Sequence, residues 1–393
     1  MMDNPFILEP FKSKEYFCDR EQETEEIIRN ITNGRNTTLI SPRRLGKTGL
    51  IFRVFDEIDE RKLPYETIYA DISDTLSLEE FIKVLSDAVV SKLKKQQRIA
   101  AFFKSLKSVR PLLGLDPMTG SPQVSFSFAD ENQQQNTLKD VLAYLESYPQ
   151  KIIFAIDEFQ QIREYEGINM EAILRKHIQH LHNVRFIYCG SKKHTMTDMF
   201  TNAKKPFYES TSFCYLAKLP VAIYAAFIRE KFESAGKSID DDSLDYILEW
   251  TKVHTYYTQR LCNEVFSLSD SIVDRDIVHK AIQIILDSER ERFREIRRLI
   301  TRAQWKMLCA IAKEDSVKQI TSSAFLSKYG ITSAPTALRN IKALIDKELI
   351  LATTEEDGTS YSVYNVFLSR YLAGMSSQML PFFRETKRYE TFF

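Results

Sequence analysis

Apolar and polar positions change their pattern twice along the chain, and each change predicts a different architecture. In the first half, five short runs are apolar through nearly their whole length, at residues 37–40, 67–71, 152–156, 184–189 and 212–216. Continuous apolarity, as opposed to alternation, predicts strands covered on both faces. Helical stretches separate these runs, so the expected fold is α/β, a parallel five-stranded sheet with helices on both faces. The first helix, running to about residue 33, carries Glu21, Glu23, Glu25 and Glu26 at its positive end, and Asp19 is its expected N-cap. Residues 110–130 interrupt the alternation. Pro111, Gly114, Pro117, Gly120 and Pro122 punctuate them, and Val124, Phe126 and Phe128 alternate with Ser125 and Ser127. That pattern predicts a hairpin or ordered insertion.

From Pro220 to about residue 300 the periodicity is helical throughout, with segments at 225–232, 244–250, 257–266 and 287–298. A lid or bundle is expected there. Three shorter helices follow at 303–312, 322–329 and 334–347. Two strands then follow at 349–353 and 360–364, joined by Glu355-Glu356-Asp357-Gly358. Three helices and a two-stranded wing describe a winged helix-turn-helix. The expected domains are therefore 1–219, with the insertion at about 110–130, then 220–299, 300–375 and a C-terminal tail at 376–393.

Composition narrows the function classes. The chain has 393 residues with 54 Lys+Arg against 54 Asp+Glu, which excludes a basic nucleic-acid coat and an acidic tail protein. Five scattered cysteines without a CxxC pair argue against a disulfide framework or a structural zinc site and fit a reducing, cytoplasmic setting. The N-terminus lacks a basic and apolar leader, and no apolar run approaches the roughly 18 residues of a membrane span. A membrane partner is not expected.

The first strand runs directly into Ser41-Pro42-Arg43-Arg44-Leu45-Gly46-Lys47-Thr48-Gly49 and a helix. This fits G-x-x-x-x-G-K-[ST] at every position but the first, in the strand-to-helix setting that the motif requires. Backbone N–H groups at a helix start cradle phosphates, Gly46 allows close approach, Lys47 meets the β- and γ-phosphates, and the Thr48 hydroxyl ligates Mg²⁺. Ser41 in place of glycine restricts the entry of the turn. Further on, the apolar run 152–156 ends in Asp157-Glu158. Two carboxylates at the end of a buried strand are costly unless they hold a cation or a water. Asp157 is expected to hold Mg²⁺, and Glu158 to polarise the attacking water as general base. Ser191, at the end of the run 184–189, either senses the γ-phosphate or is ordinary turn chemistry. Arg43 and Arg44 either add charge near phosphate or are simply solvated.

These residues resemble the prokaryotic archaeal-type AAA+-like ATPases, a branch of the P-loop NTPases grouped with the signal-transduction ATPases. The resemblance is carried by Asp19-Arg20-Glu21, the loop 41–48, Ile156-Asp157-Glu158-Phe159-Gln160, Pro206-Phe207-Tyr208 and His254-Thr255-Tyr256-Tyr257-Thr258-Gln259. It spans about residues 4 to 370. It implies an ATPase core, a helical lid and a C-terminal winged helix, with ATP and Mg²⁺ as ligands. Three positions in the helical block depart from the family pattern: Thr255 stands where proline is usual, and Lys252-Val253 stand where the family has Gly-Gly, at the lid's expected nucleotide contact. Arg260 either reaches the phosphates or is an exposed helix residue.

Residues 296–348 hold ten Lys/Arg against four Asp/Glu, so the neutral whole conceals a basic module. In its third helix Ala337, Leu338, Ile341, Leu344 and Ile345 form the expected buried stripe. Thr332, Ser333, Thr336, Arg339, Asn340 and Lys342 then remain to face DNA. Winged helices also dock proteins, and the acidic wing Glu355-Glu356-Asp357 would repel DNA. The chemistry expected is ATP hydrolysis coupled to a lid and to a DNA- or partner-binding winged helix. The alternative is a slow or non-hydrolysing nucleotide switch acting mainly through DNA or protein docking. A remodelling motor would further require an oligomer and an arginine finger.

Overall fold

A computed structural model describes residues 4–9, 11–93, 96–115, 120, 122–355 and 358–378. These residues form two compact units. One runs from Leu8 to Tyr224, and the other joins residues 4–7 to the chain from Ala225 onward.

The first unit begins with α1 (Glu21–Thr32), β1 (Thr37–Ile40), α2 (Lys47–Glu60), β2 (Tyr65–Asp71), α3 (Leu78–Lys92) and α4 (Gln96–Ser105). A hairpin of β3 (Leu112–Leu115) and β4 (Pro122–Ser125) follows, then α5 (Glu131–Glu146), β5 (Lys151–Asp157) and α6 (Met170–Ile178). The unit continues through β6 (Val184–Gly190), α7 (Lys193–Thr201) and β7 (Ser212–Tyr215). The expected strands and insertion hairpin are present; Pro117 of that insertion lies outside the described residues. The five-stranded sheet is parallel throughout, in the order β2-β5-β6-β1-β7. Chain order reverses across β1, so the carboxyl ends of β1, β6 and β5 border the crevice where open α/β sheets collect ligands.

Burial explains why these strands read as unbroken apolar runs. Successive side chains point to opposite faces. Phe154, Ile156, Phe186 and Tyr188 enter one core with α3 and α5 residues such as Phe81 and Leu138, while Ile153, Ala155, Ile187 and Leu39 enter a second with Ile27, Leu50 and Val54. One expectation fails at the first helix. Asp19 does not cap it. The N-cap is Arg20, and both residues are left-handed, with φ 58° and 76°. Arg20 is turned inward, where its guanidinium donates to Glu23 Oε1 at 2.8 Å and to the Ala217 carbonyl at 2.6 Å. Satisfying that buried cation takes precedence over side-chain capping.

The second unit contains α8 (Val221–Ser234), whose first turn belongs to the other unit, followed by β8 (Ser238–Ile239), α9 (Asp241–Trp250), α10 (Thr255–Leu268), β9 (Ile272–Val273) and α11 (Arg275–Arg298). A two-residue parallel pairing of β8 with β9 interrupts the helical run expected there. The chain continues through α12 (Arg302–Glu314), α13 (Ser323–Lys328), α14 (Ala334–Asp346) and an antiparallel wing of β10 (Ile350–Glu355) with β11 (Gly358–Val363). It ends with α15 (Val366–Gln378). Glu356 and Asp357 of the wing tip, and the tail phenylalanines Phe382, Phe383, Phe392 and Phe393, lie outside the described residues.

Residues 4–7 pack in this second unit, although sequence patterning assigns them to the first domain. Phe6 is fully buried with its ring 4.8 Å from that of Phe232, and Asn263 donates to the Phe6 carbonyl at 2.7 Å. The final helix, unanticipated from sequence, ties the winged helix to the helices before it. Phe367 meets Trp250 and Tyr257, Tyr371 meets Phe293, and Arg370 donates to the carbonyls of Trp250 and Glu249 at 2.9 and 3.0 Å. Arg370 thereby serves the negative end of α9.

That end of α9 is a Schellman turn. Lys252 N–H donates to the Glu249 carbonyl at 3.0 Å and Val253 N–H to the Leu248 carbonyl at 2.8 Å. Such a turn needs left-handed backbone, normally supplied by glycine. Here Lys252 and Val253 adopt φ 55° and 53°. The absence of the Gly-Gly pair therefore leaves the turn's geometry in place, with a β-branched residue carrying the strain. Lys252 Nζ lies 2.6 Å from Asp315 Oδ1, which adds a tether from this turn to the end of α12.

Candidate functional site

Residues 41–46 lead from the carboxyl end of β1 into α2. Arg44 and Gly46 are both left-handed, at φ 65° and 97°, and Gly46 is the N-cap. A Cβ built on Gly46 meets no atom within 4 Å, so this backbone faces open space beside the unpaired N–H groups of the first turn. Ser41 occupies the position where the motif has glycine. It is fully buried, is not left-handed, and donates its hydroxyl to the Pro42 carbonyl at 2.9 Å, so a side chain is accommodated without backbone cost. Leu45 and Gly49 are buried under the loop, while Arg43 and Arg44 are exposed at its surface.

Three strand ends converge on this loop. Lys47, only 7 % exposed, places Nζ 2.5 Å from Asp157 Oδ1 and 2.6 Å from Glu158 Oε1. Thr48 donates to Asp157 Oδ2 at 2.9 Å, and Ser191 donates to Glu158 Oε2 at 2.7 Å. Arg43 Nε donates to Ser191 Oγ at 3.4 Å. The strand order explains the meeting. With β6 lying between β1 and β5, Ser191 just beyond β6 is interposed between the loop and Glu158. Glu158 itself is left-handed, φ 53° and ψ 41°, an unusual conformation for a glutamate and one found at strained functional positions.

Electrostatics follow from burial and pairing. Burial alone would pull the Lys47 ammonium down, but the charges of Asp157 and Glu158 outweigh it, so its pKa is raised. Burial would push Glu158 up. The Lys47 charge, with hydrogen bonds from Lys47, Ser191 and Gln160, instead holds it below its ordinary value. Both groups are thus kept ionised.

Two residues at the site were not anticipated. Tyr69 donates its hydroxyl to Asp157 Oδ2 at 3.1 Å, and burial followed by the charges of Asp157 and Asp71 raises its pKa far above the phenol range. Gln160 Nε2 donates to Glu158 Oε2. The sequence signal for Gln160 was its place two residues after Glu158; for Tyr69 it was a polar-tipped aromatic near the end of an otherwise apolar strand.

Thr48 and Asp157 bring together hard oxygen donors of the kind that Mg²⁺ takes when substrate phosphates and water complete its octahedron. Among the described residues no cluster of three His, Cys, Asp or Glu could hold a metal alone. The residues therefore fit a cation shared with a bound phosphate. Arg260, on α10, pairs with Glu264 one turn along at 3.9 Å.

On α14 the structure corrects the expected faces. Ala337, Asn340, Ile341 and Leu344 are inward, and Leu338 is 52 % exposed. Asn340, at 9 % exposure, is not available as a DNA contact, because the helical period aligns it with Ala337 and Leu344. Ser333 caps the helix, accepting from Thr336 N–H at 3.4 Å and lying 3.0 Å from the Thr336 hydroxyl, so both are occupied locally. Arg339 and Lys342 remain exposed, as does Thr332.

The comparisons with known proteins agree with this architecture. Residues 291–374 match the family described as "Probable winged helix domain". No curated protein matches the chain. Among solved structures, a Walker-type ATPase of Pyrococcus abyssi is 20 % identical with a TM-score of 0.64, over 94 % of this chain and 99 % of that one. The ORC1 protein of Aeropyrum pernix, solved in complex with DNA, is 13 % identical with a TM-score of 0.50, over 98 % of each chain. The ORC2 protein of the same organism, solved as ADPNP–ADP complexes, is 14 % identical with a TM-score of 0.51, over 90 % of this chain and 91 % of that one. At these identities the likeness is one of fold. The chain has the parallel-sheet P-loop NTPase fold with a C-terminal winged helix. Among the described residues no helix is long and apolar enough to cross a membrane.

Proposed function

We propose that the chain binds ATP with Mg²⁺ at residues 41–49 and hydrolyses it, and that nucleotide state is coupled to a winged helix that contacts DNA. The observation that carries this reading is the convergence of Lys47, Thr48, Asp157, Glu158 and Ser191 at three adjacent strand ends. Lys47 would exchange its carboxylate partners for β- and γ-phosphate oxygens. Thr48 and Asp157 would hold Mg²⁺, which when bound neutralises phosphate charge. Glu158 takes a proton from water as the water oxygen bonds to the γ-phosphorus. The bond from phosphorus to the β–γ bridging oxygen breaks, and its electron pair leaves with ADP. Ser191, which donates to Glu158, orients the carboxylate and would sense the γ-phosphate. The proposed division is a core of residues 1–219, a lid of 220–299, a winged helix of 300–375 and a tail of 376–393, amended only in that residues 4–7 pack with α8 and α10.

Variants at two positions test this reading. Lys47→Ala abolishes ATP binding, whereas Glu158→Gln keeps binding and lowers turnover by about 10²- to 10⁴-fold. Unchanged turnover in Glu158→Gln, with binding measured in parallel, removes the assignment.

DNA contact is supported by the exposed Arg339 and Lys342 within the basic module, and by the DNA bound to the ORC1 protein of like fold. Affinity for duplex DNA then falls steeply with salt, and Arg339→Ala reduces that slope by about one. A second reading, a switch whose winged helix docks protein, is favoured by the exposed Leu338 beside Arg339. Absence of DNA binding at low salt selects it.

A further inference from the structure

The next inference rests on the ATPase reading, in which Glu158 is the base. Gln160 has no role in that reading, yet its side chain is built into the site. It is 3 % exposed and lies in the short 3-10 helix Phe159–Glu164 that leads away from Glu158. Its Nε2 donates to Glu158 Oε2, the oxygen that also accepts from Ser191, while Lys47 takes Oε1. Its Oε1 is buried with no hydrogen-bond partner. A primary amide beside a carboxylate has one favourable orientation, because turning it over sets two acceptors against each other. The carboxylate of Glu158 and the amide of Gln160 therefore fix each other's orientation.

Gly190, the last residue of β6, makes room for this amide. A Cβ there would lie 2.5 Å from Met196 Cγ and Sδ and closer still to Gln160 Oε1. Gly190 is not left-handed, so the need it meets is one of space and not of backbone conformation.

We propose that Gln160 is a positioning residue for hydrolysis: seated against Gly190, it holds the Glu158 carboxylate, through a donated hydrogen bond, in the fixed orientation that accepts a proton from water. The test uses the full chain with Gln160→Met, which keeps the size and removes the donor, and Gly190→Ala, which displaces the amide independently. Two measurements are made: kcat and KM of steady-state ATP hydrolysis, and affinity for a fluorescent ATP analogue.

Gln160→Met lowers kcat about tenfold to a hundredfold with KM unchanged. Affinity for the fluorescent analogue stays at the wild-type value. Gly190→Ala lowers kcat in the same way and decides the matter if Gln160→Met does not fold. In a Glu158→Gln background, Gln160→Met lowers turnover no further. Wild-type kcat in a folded Gln160→Met overturns the proposal. Wild-type hydrolysis by Glu158→Gln alone instead overturns the ATPase role of Glu158, and this inference with it.

Discussion

At Gly46 the backbone has φ 97° and a Cβ would meet open space, whereas Lys252 and Val253 turn the chain left-handed, at φ 55° and 53°, with side chains attached. The first turn opens the helix whose N-terminus faces the proposed phosphates. The second closes α9. Each needs positive φ, but for different reasons. In the loop, an approaching ligand must come against the backbone, so glycine serves both conformation and access. At the end of α9 the turn closes the helix, and contacts within the protein hold it. The strain of left-handed Lys252 is offset by two carbonyl hydrogen bonds, by Arg370 at the same helix end and by the ion pair with Asp315. Left-handed backbone is thus not by itself a sign of a ligand site. Where an ordinary residue bears it, the neighbouring contacts show what holds it in place.

Substitution at each turn can break or sharpen this contrast. The largest effect is expected for Gly46→Ala. Its φ lies beyond the usual left-handed range for an L-residue, and the methyl enters the space in front of the loop, so ATP affinity falls at least about 100-fold, while the fold loses only about 1–2 kcal/mol. Calorimetric titration with parallel thermal melts separates the two effects. If binding survives, close backbone approach is not what Gly46 provides. The reverse change, Val253→Gly, relieves strain of about 1–2 kcal/mol and gives back about 0.5–1 kcal/mol of chain entropy, for a net gain of under about 1.5 kcal/mol. A loss of stability in denaturant titration would mean that the Val253 side chain packs more than it strains. Lys252→Ala removes an ion pair whose Asp315 partner is 57 % exposed. The cost is at most about 1 kcal/mol and diminishes at high salt; a larger, salt-insensitive cost would show that the tether organises the turn.

The legibility of the site varied with how local its chemistry is. Residues 41–49 and the pair Asp157-Glu158 stand out because a loop and a strand end are contiguous, and their residue types are costly or conformationally demanding elsewhere. The apolar strands that carry them were equally legible, since burial on both faces leaves a continuous run. Tyr69 and Gln160 were not, because a tyrosine or glutamine becomes a site residue only when strand register, for Tyr69, or the turn after the strand, for Gln160, brings its polar tip to a carboxylate. On α14 the stripe was misplaced by part of a turn. Leu338 and Asn340 differ in polarity in the sense opposite to their burial, so polarity alone assigned both to the wrong face.

The sequence by itself determined the order of elements, the doubly covered sheet, the phosphate-type loop and the paired carboxylates, because these depend on local periodicity and on short spacings. Tertiary structure alone decided the strand order that brings Ser191 and Lys47 to the two oxygens of Glu158, and the inward turn of Arg20 that displaced Asp19 as the cap. It also decided the packing of residues 4–7 with α8 and α10, and the closure of the winged helix by α15. Each depends on contacts between residues far apart in the chain, whose energies exceed the local preferences that sequence patterns record.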